Sequence, residues 1–187
     1  LTNYFSKFFE ITIQTDNEQY KKTWYDNNSR SSEHKYFKNK SKNNFVRIHF
    51  IPDYKIFNME KLDNNIISLF HKKAIDVSFS GNIKVIFNDE VIFIKNINEY
   101  VKLYTTENII SDINENWKIA LVEHSSFNQI SLVNSVSTKN GGTHVNYILK
   151  TIVNSLNKKL KKPITVTFLK KYVWIFIDCI ITDPKFN

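Results

Sequence analysis

The residues that would do covalent chemistry are few and badly placed for it. The five histidines, His34, His49, His71, His124 and His144, lie far apart, and no pair has the spacing of metal ligands. The single cysteine, Cys179, sits in the apolar run YVWIFIDCII (172–181) with no base near it in sequence, which predicts an inert buried thiol. Asp178 interrupts that run and reads as a hydrogen-bonded position at a sheet edge. Neither of the phosphate-binding glycine patterns, GxxxxGK[ST] or GxGxxG, is present. The residues by themselves offer no catalytic group and no metal site.

Charge carries more. The chain of 187 residues has 26 Lys plus Arg and 18 Asp plus Glu, a net charge of 26 − 18 = +8. Residues 151–187 hold seven basic and two acidic groups, net +5, while residues 51–150 are close to neutral. Four of the seven, Lys158, Lys159, Lys161 and Lys162, fall within five positions. Such a patch attracts polyanions, nucleic acid or anionic lipid. A solvated lysine-rich face explains the same residues, because cations are favoured at a helix C-terminus. A second segment of interest is NSVSTKNGGTHVN (134–146), in which a strand runs through a polar turn and two glycines into a helix. Backbone N–H groups at that helix start suit an anion, and a plain strand-to-helix turn suits the pattern as well.

These residues need elements to hold them. Phe8 to Thr15 alternates apolar and polar as a half-buried strand does, and Tyr20 to Tyr25 continues extended. Residues 27–44 are polar and basic and read as a long loop or hairpin tip. Phe45 to Phe50 is a further strand, ended by Pro52-Asp53. Met59 to Val77 is predicted helical on the spacing of Leu62, Ile66, Leu69, Phe70 and Ala74. Lys84 to Phe87 and Val91 to Ile94 form a hairpin around Asn88-Asp89-Glu90, and Tyr100 to Tyr104 is a short helix or turn. Trp117 to Val122 and Ile130 to Val136 are strands. Thr143 is expected to cap a helix of about 18 residues that buries Val145, Ile148, Leu149, Ile152, Leu156 and Leu160, carries the lysines at its end, and stops at Pro163. Tyr172 to Ile181, apolar on both faces, is predicted to be a central strand.

Composition bounds the rest. Hydrophobic residues at 42% and aromatics at 14% suffice for a packed core. One cysteine excludes an intrachain disulfide framework and fits a reducing compartment. No apolar run reaches the roughly 18 residues that span a bilayer. Leu1 in place of an initiator Met, with Met59 the only methionine, leads us to expect a fragment or a processed chain.

Phe127-Asn128-Gln129-Ile130-Ser131-Leu132-Val133-Asn134-Ser135, followed by Gly141-Gly142-Thr143-His144-Val145, resembles the "QQISFVNSI…GGxHV" segment of type II DNA topoisomerases of the eukaryotic or large-virus type. Phe50-Ile51-Pro52-Asp53 is similar to their "FxPD", Lys61-Leu62-Asp63 to "xLD", and Val91 to Tyr104 to "L…NYVxLY". Trp174 to Ile177 and Asp183-Pro184-Lys185-Phe186 are similar to "xFIFIN…NPxF". The resemblance runs in order along essentially the whole chain.

It implies an α+β fold: the C-terminal part of a Bergerat (GHKL) α/β sandwich over residues 1–103, then the N-terminal part of a transducer domain with a βαβ unit over residues 104–187. It implies an ATP-hydrolysing DNA topoisomerase, an isomerase, that uses ATP and Mg2+, acts as a homodimer on double-stranded DNA, is not membrane-bound, and works in the nucleus, or in the host cell or virion for a virus. The family's ATP lid and Mg2+-binding Asn would precede Leu1, and its "QTK" loop would follow Asn187. No catalytic, cofactor-binding or metal-binding residue carries over, and the chain alone is not expected to be active. What does carry over is the DNA-contacting lysine cluster at the end of the transducer helix. It aligns with Lys161 and Lys162, with Pro163 at a third basic position and Lys158 and Lys159 beside them. Val46 stands where the family's adenine-side Thr would be, without a hydroxyl worth about 0.5–1.5 kcal/mol in a hydrogen bond. Two other readings stay open: a free-standing basic DNA-binding remnant without ATPase activity, and another GHKL ATPase such as a mismatch-repair or chaperone relative.

Overall fold

The computed structural model describes residues 1–38 and 43–185. It divides into two compact units, Leu1–Asn64 and Asn65–Asn187.

The first unit is one antiparallel sheet whose last strand returns to pair with its first. Strands β1 (Ser6–Gln14), β2 (Glu18–Tyr25), β3 (Arg30–Ser31), β4 (Lys35–Lys38) and β5 (Phe45–Pro52) form one sheet in the order β3-β2-β1-β5, with β4 also paired to β2. The 27–44 segment, expected as a long loop or hairpin tip, contains two short strands; its residues 39–42 lie outside the described residues. Tyr36 packs at a tilt against Tyr20 across the β2–β4 ladder, at 5.3 Å between ring centroids, and such cross-strand aromatic contacts hold a strand that has no apolar periodicity. The β2–β3 turn is made by Asp26, Asn27 and Asn28, all with positive φ. With only three glycines in the chain, Asn and Asp take over the left-handed positions: among the described residues, nine of the ten non-glycine residues with positive φ are one or the other. Val46, Ile48 and Phe50 project from one face of β5 and are exposed.

The second unit is a three-layer arrangement. Helix α1 (Asn64–Gly81) is followed by the hairpin β6 (Val85–Phe87) and β7 (Glu90–Ile92), whose turn residues Asn88 and Asp89 are both left-handed as a two-residue hairpin needs. Helix α2 (Ile97–Val101) leads into β8 (Ile109–Ile113), β9 (Trp117–Glu123), β10 (Asn128–Val133), β11 (Val136–Ser137), α3 (Thr143–Asn157), α4 (Val166–Leu169) and β12 (Val173–Cys179). The sheet order is β11-β10-β12-β9-β8. Among the described residues only β10 and β12 pair in parallel, and α3 and α4 lie on the crossover between them, so this is the expected βαβ unit.

Alternation on the inner strands sorts side chains between two cores. Phe176, Ala120 and Val122 meet Phe79 of α1 and Ile97, Tyr100 and Val101 of α2. Ile175, Ile177, Val173 and Cys179 meet Val145, Ile148 and Leu149 of α3. β12 is therefore apolar on both faces because each face is covered. The shared first core keeps α2 and the end of α1 in one compact unit with β9 and β12.

Three local expectations need correction. Helix α1 starts at Asn64 rather than Met59, because residues 54–57 form a 3-10 turn closed by left-handed Asn58. Its buried residues are Asp76, Ser78 and Phe79, while Leu69 and Phe70 are about half exposed. Strand β8 was not foreseen. Asp178 is not at an edge: it is buried in the central strand, where Lys118 donates to it at 2.9 Å and Ser80 at 2.7 Å. A similar buried carboxylate, Asp76, is held by Lys72 at 2.6 Å and the Tyr100 hydroxyl at 2.7 Å.

Candidate nucleic-acid interface

Helix α3 is the element that carries the lysines. Its entry is fixed by two glycines and a polar network. Gly141 has φ +73, and Gly142 is the residue before the helix, so Thr143 is the first helical residue and not its cap. A Cβ on Gly142 would lie 3.0 Å from the His144 ring. The Ser131 hydroxyl donates to Gln129 Oε1 at 2.7 Å, and Gln129 Nε2 donates to the Lys139 carbonyl at 2.7 Å. Thr138 Oγ1 donates to the Ser131 carbonyl at 3.0 Å and lies 3.2 Å from His144 Nε2. His144 is buried, and burial lowers its pKa. A group depressed in this way adds stability above its unfolded value near 6.5, and that stability is lost as pH falls.

The helix then buries Val145, Ile148, Leu149 and Val153. It stops at Asn157, three residues short of the expected length, and Leu156 and Leu160 are exposed. The lysines therefore do not line the last helical turn. Lys158 is the C-cap, and Lys159, Lys161 and Lys162 lie on the irregular segment beyond it; all four are exposed. The Asn157 side chain spans that segment: its Nδ2 donates to the Ile164 carbonyl at 3.0 Å, and its Oδ1 accepts from the Ile164 N–H at 2.8 Å. Thr165 caps α4, accepting from the Phe168 N–H at 3.1 Å. Periodicity could not reveal Asn157, whose contact is seven residues away on the far side of a proline.

The electrostatic setting is strongly one-signed. From His124 to Ile177, 54 consecutive residues, there is no Asp or Glu, while Lys139, Lys150, Lys158, Lys159, Lys161, Lys162, Lys170 and Lys171 are present. Among the described residues none of the four clustered lysines is in an ion pair. Lys170 lies 4.7 Å from the Phe127 ring centroid, a cation–π contact. Four exposed ammonium groups lie on one short segment, in a stretch of sequence without Asp or Glu, and such a concentration of one charge attracts polyanions.

The unit's one thiol is not placed to act as a nucleophile. Cys179 is buried in the second core, and burial first, then the charge of Asp178, pushes its thiol up to about 11. The folded protein is expected to leave Cys179 unmodified by a thiol reagent at neutral pH, with one equivalent reacting on unfolding; reaction in the native state would contradict the buried placement. Because the folded value is raised, the associated stability is complete below the unfolded value near 8.5 and is lost as pH rises from there towards about 11. Among the described residues no group of three His, Cys, Asp or Glu converges as a metal site, and no helix is long and apolar enough to cross a membrane.

Comparison with known proteins places this arrangement. A family model described as DNA gyrase B matches residues 70–187. DNA topoisomerase 2 of Bombyx mori and DNA topoisomerase 2-beta of Homo sapiens are each 34% identical over 209 aligned residues, which take in 100% of this chain and 13% of theirs. The ATPase region of Saccharomyces cerevisiae topoisomerase II superimposes with a TM-score of 0.90 at 34% identity, over 99% of this chain and 51% of that one. The ATPase and transducer domains of DNA topoisomerase II from Balamuthia mandrillaris superimpose with a TM-score of 0.87 at 29% identity, again over 99% and 51%.

Proposed function

The chain belongs to the DNA gyrase B family and is homologous to the eukaryotic type II DNA topoisomerases, and on that premise we propose that it is a segment of an ATP-dependent enzyme that passes one DNA duplex through a transient double-strand break. In this reading residues 1–103 end the GHKL ATPase domain and residues 104–187 begin the transducer, which relays nucleotide state to the closing of a gate between two subunits. The enzyme would work as a homodimer, in the nucleus or, for a virus, in the host cell or virion. ATP and Mg2+ would be held mainly by residues outside this chain.

The part played by this chain's own residues is mechanical and electrostatic. β10, α3 and β12 form one packed unit, so a displacement of the loop at residues 134–142 is carried along α3 to the lysine segment at its other end. There Lys158, Lys159, Lys161 and Lys162 contact DNA phosphates without reading sequence. The observation that carries the reading is the exposed, unpaired lysine segment projecting from the end of the βαβ helix, in a stretch free of acidic residues.

The test is made on the whole protein that contains this segment. It is expected to relax supercoiled plasmid only with ATP and Mg2+, in linking-number steps of two. Duplex binding with neither ATP turnover nor a topology change would replace this reading with that of a basic DNA-binding module.

A further inference from the structure

Resting on the phosphate-binding reading above, we propose that Asn157 is a positioning residue for DNA: its side-chain amide closes residues 158–163 into a preformed lysine hoop. The two hydrogen bonds to Ile164, at 3.0 and 2.8 Å, use both ends of the amide, as a backbone group in a sheet ladder would. They join the last residue of α3 to the residue after Pro163 and enclose six residues, four of them lysine. The start of the hoop is tied to the helix, since Lys159 and Leu160 donate their N–H groups to the Leu156 carbonyl. Its second half, Lys161 to Pro163, is exposed and spans the gap between that tie and the Thr165 cap. Four like charges on so short a stretch repel one another and favour an extended segment. Asn157 opposes this, and the ordering of the hoop is complete before DNA arrives instead of being charged against the binding energy.

This role separates from that of the lysines in one measurement. Affinity of the whole protein that contains this chain for a short duplex is followed against salt for wild type, for Asn157→Ala and for Asn157→Gln. Alanine is a good helix former, and glutamine keeps the amide but is one methylene too long to close the same ring. Both variants are expected to bind about fivefold more weakly at every salt concentration, with the slope of log K against log salt unchanged, because the same phosphates are still neutralised. The melting temperature should hold to within a few degrees, and the Ile164 amide should exchange faster with solvent. Affinity equal to wild type in both variants overturns the positioning role, and so does a changed slope. If wild-type binding is also insensitive to Lys161→Glu with Lys162→Glu, the phosphate-binding reading fails and this inference falls with it. If that charge reversal acts while the Asn157 variants do not, only the positioning role is lost.

Discussion

Reversing two charges in the lysine hoop, with Lys161→Glu and Lys162→Glu, is expected to weaken duplex binding on the order of a hundredfold at roughly 50 mM salt. The figure follows from counterion release. Each phosphate contact contributes about 0.9 to the slope of log K against log salt, so losing two contacts lowers the slope by about 1.8. Between about 50 mM and a 1 M reference that is roughly two decades of affinity, and at about 200 mM it shrinks to some twentyfold. The loss should be uniform across duplex sequences, because phosphates carry no base information. Both side chains are exposed and in no ion pair among the described residues, so the fold has no reason to respond. A titration by fluorescence anisotropy at three salt concentrations gives affinity and slope together. An unchanged slope would remove the hoop from the DNA interface.

The second large effect is on stability. Lys118→Met is expected to destabilise the second unit by about 3 kcal/mol, because it leaves the Asp178 carboxylate without its cation in a buried central strand. Asp178 is 6% exposed. It accepts from Lys118 Nζ at 2.9 Å and from the Ser80 hydroxyl at 2.7 Å, and one neutral hydroxyl does not offset a buried charge. Lys118 is itself partly solvated, which places the effect near the lower end of the range for a broken buried pair. For a protein of this size that is a fall in melting temperature of roughly 6–12 °C. Lys118→Met combined with Asp178→Asn removes both charges and should recover most of the loss, since the amide can still accept from Ser80. A double variant no more stable than Lys118→Met alone would show that the methionine itself, and not the stranded charge, is responsible.

The elements that could be read from residue order are those whose own neighbours define them. β1, β5 and the β6–β7 hairpin follow from alternation over a few residues and from Asn88-Asp89 at the turn. β12 follows from being apolar at every position but one. The elements that could not be read depend on partners distant in the chain. β4 has no apolar periodicity and exists because β2 supplies hydrogen bonds and Tyr20 a ring. β8 alternates little, and it is a strand because β9 pairs with it along its length. Helix α1 misled because its stripe of Leu62, Ile66, Leu69 and Phe70 is not what the second unit buries. On its last turns Asp76 accepts from Tyr100 of α2, Ser78 bonds the backbone of Ile83, Ile92 and Ile94, and Phe79 packs with α2 and the sheet. Asp178 misled for the same reason: a carboxylate in an apolar run suggests an edge until Lys118 is found opposite it, in register on the neighbouring strand.

For the candidate site, sequence alone determined the type and spacing of the lysines, the glycine break before the helix, and the apolar stripe of α3, because composition and a 3.6-residue period need no partner to be visible. It equally determined the family, through motifs that recur in order. Only the tertiary structure decided where the lysines stand. α3 ends at Asn157, and the cations leave the helix to form a hoop closed by Asn157 and Ile164. The physical reason is that a side-chain amide satisfying both a carbonyl and an N–H seven residues on is a relation between two places in space, and no local pattern records it.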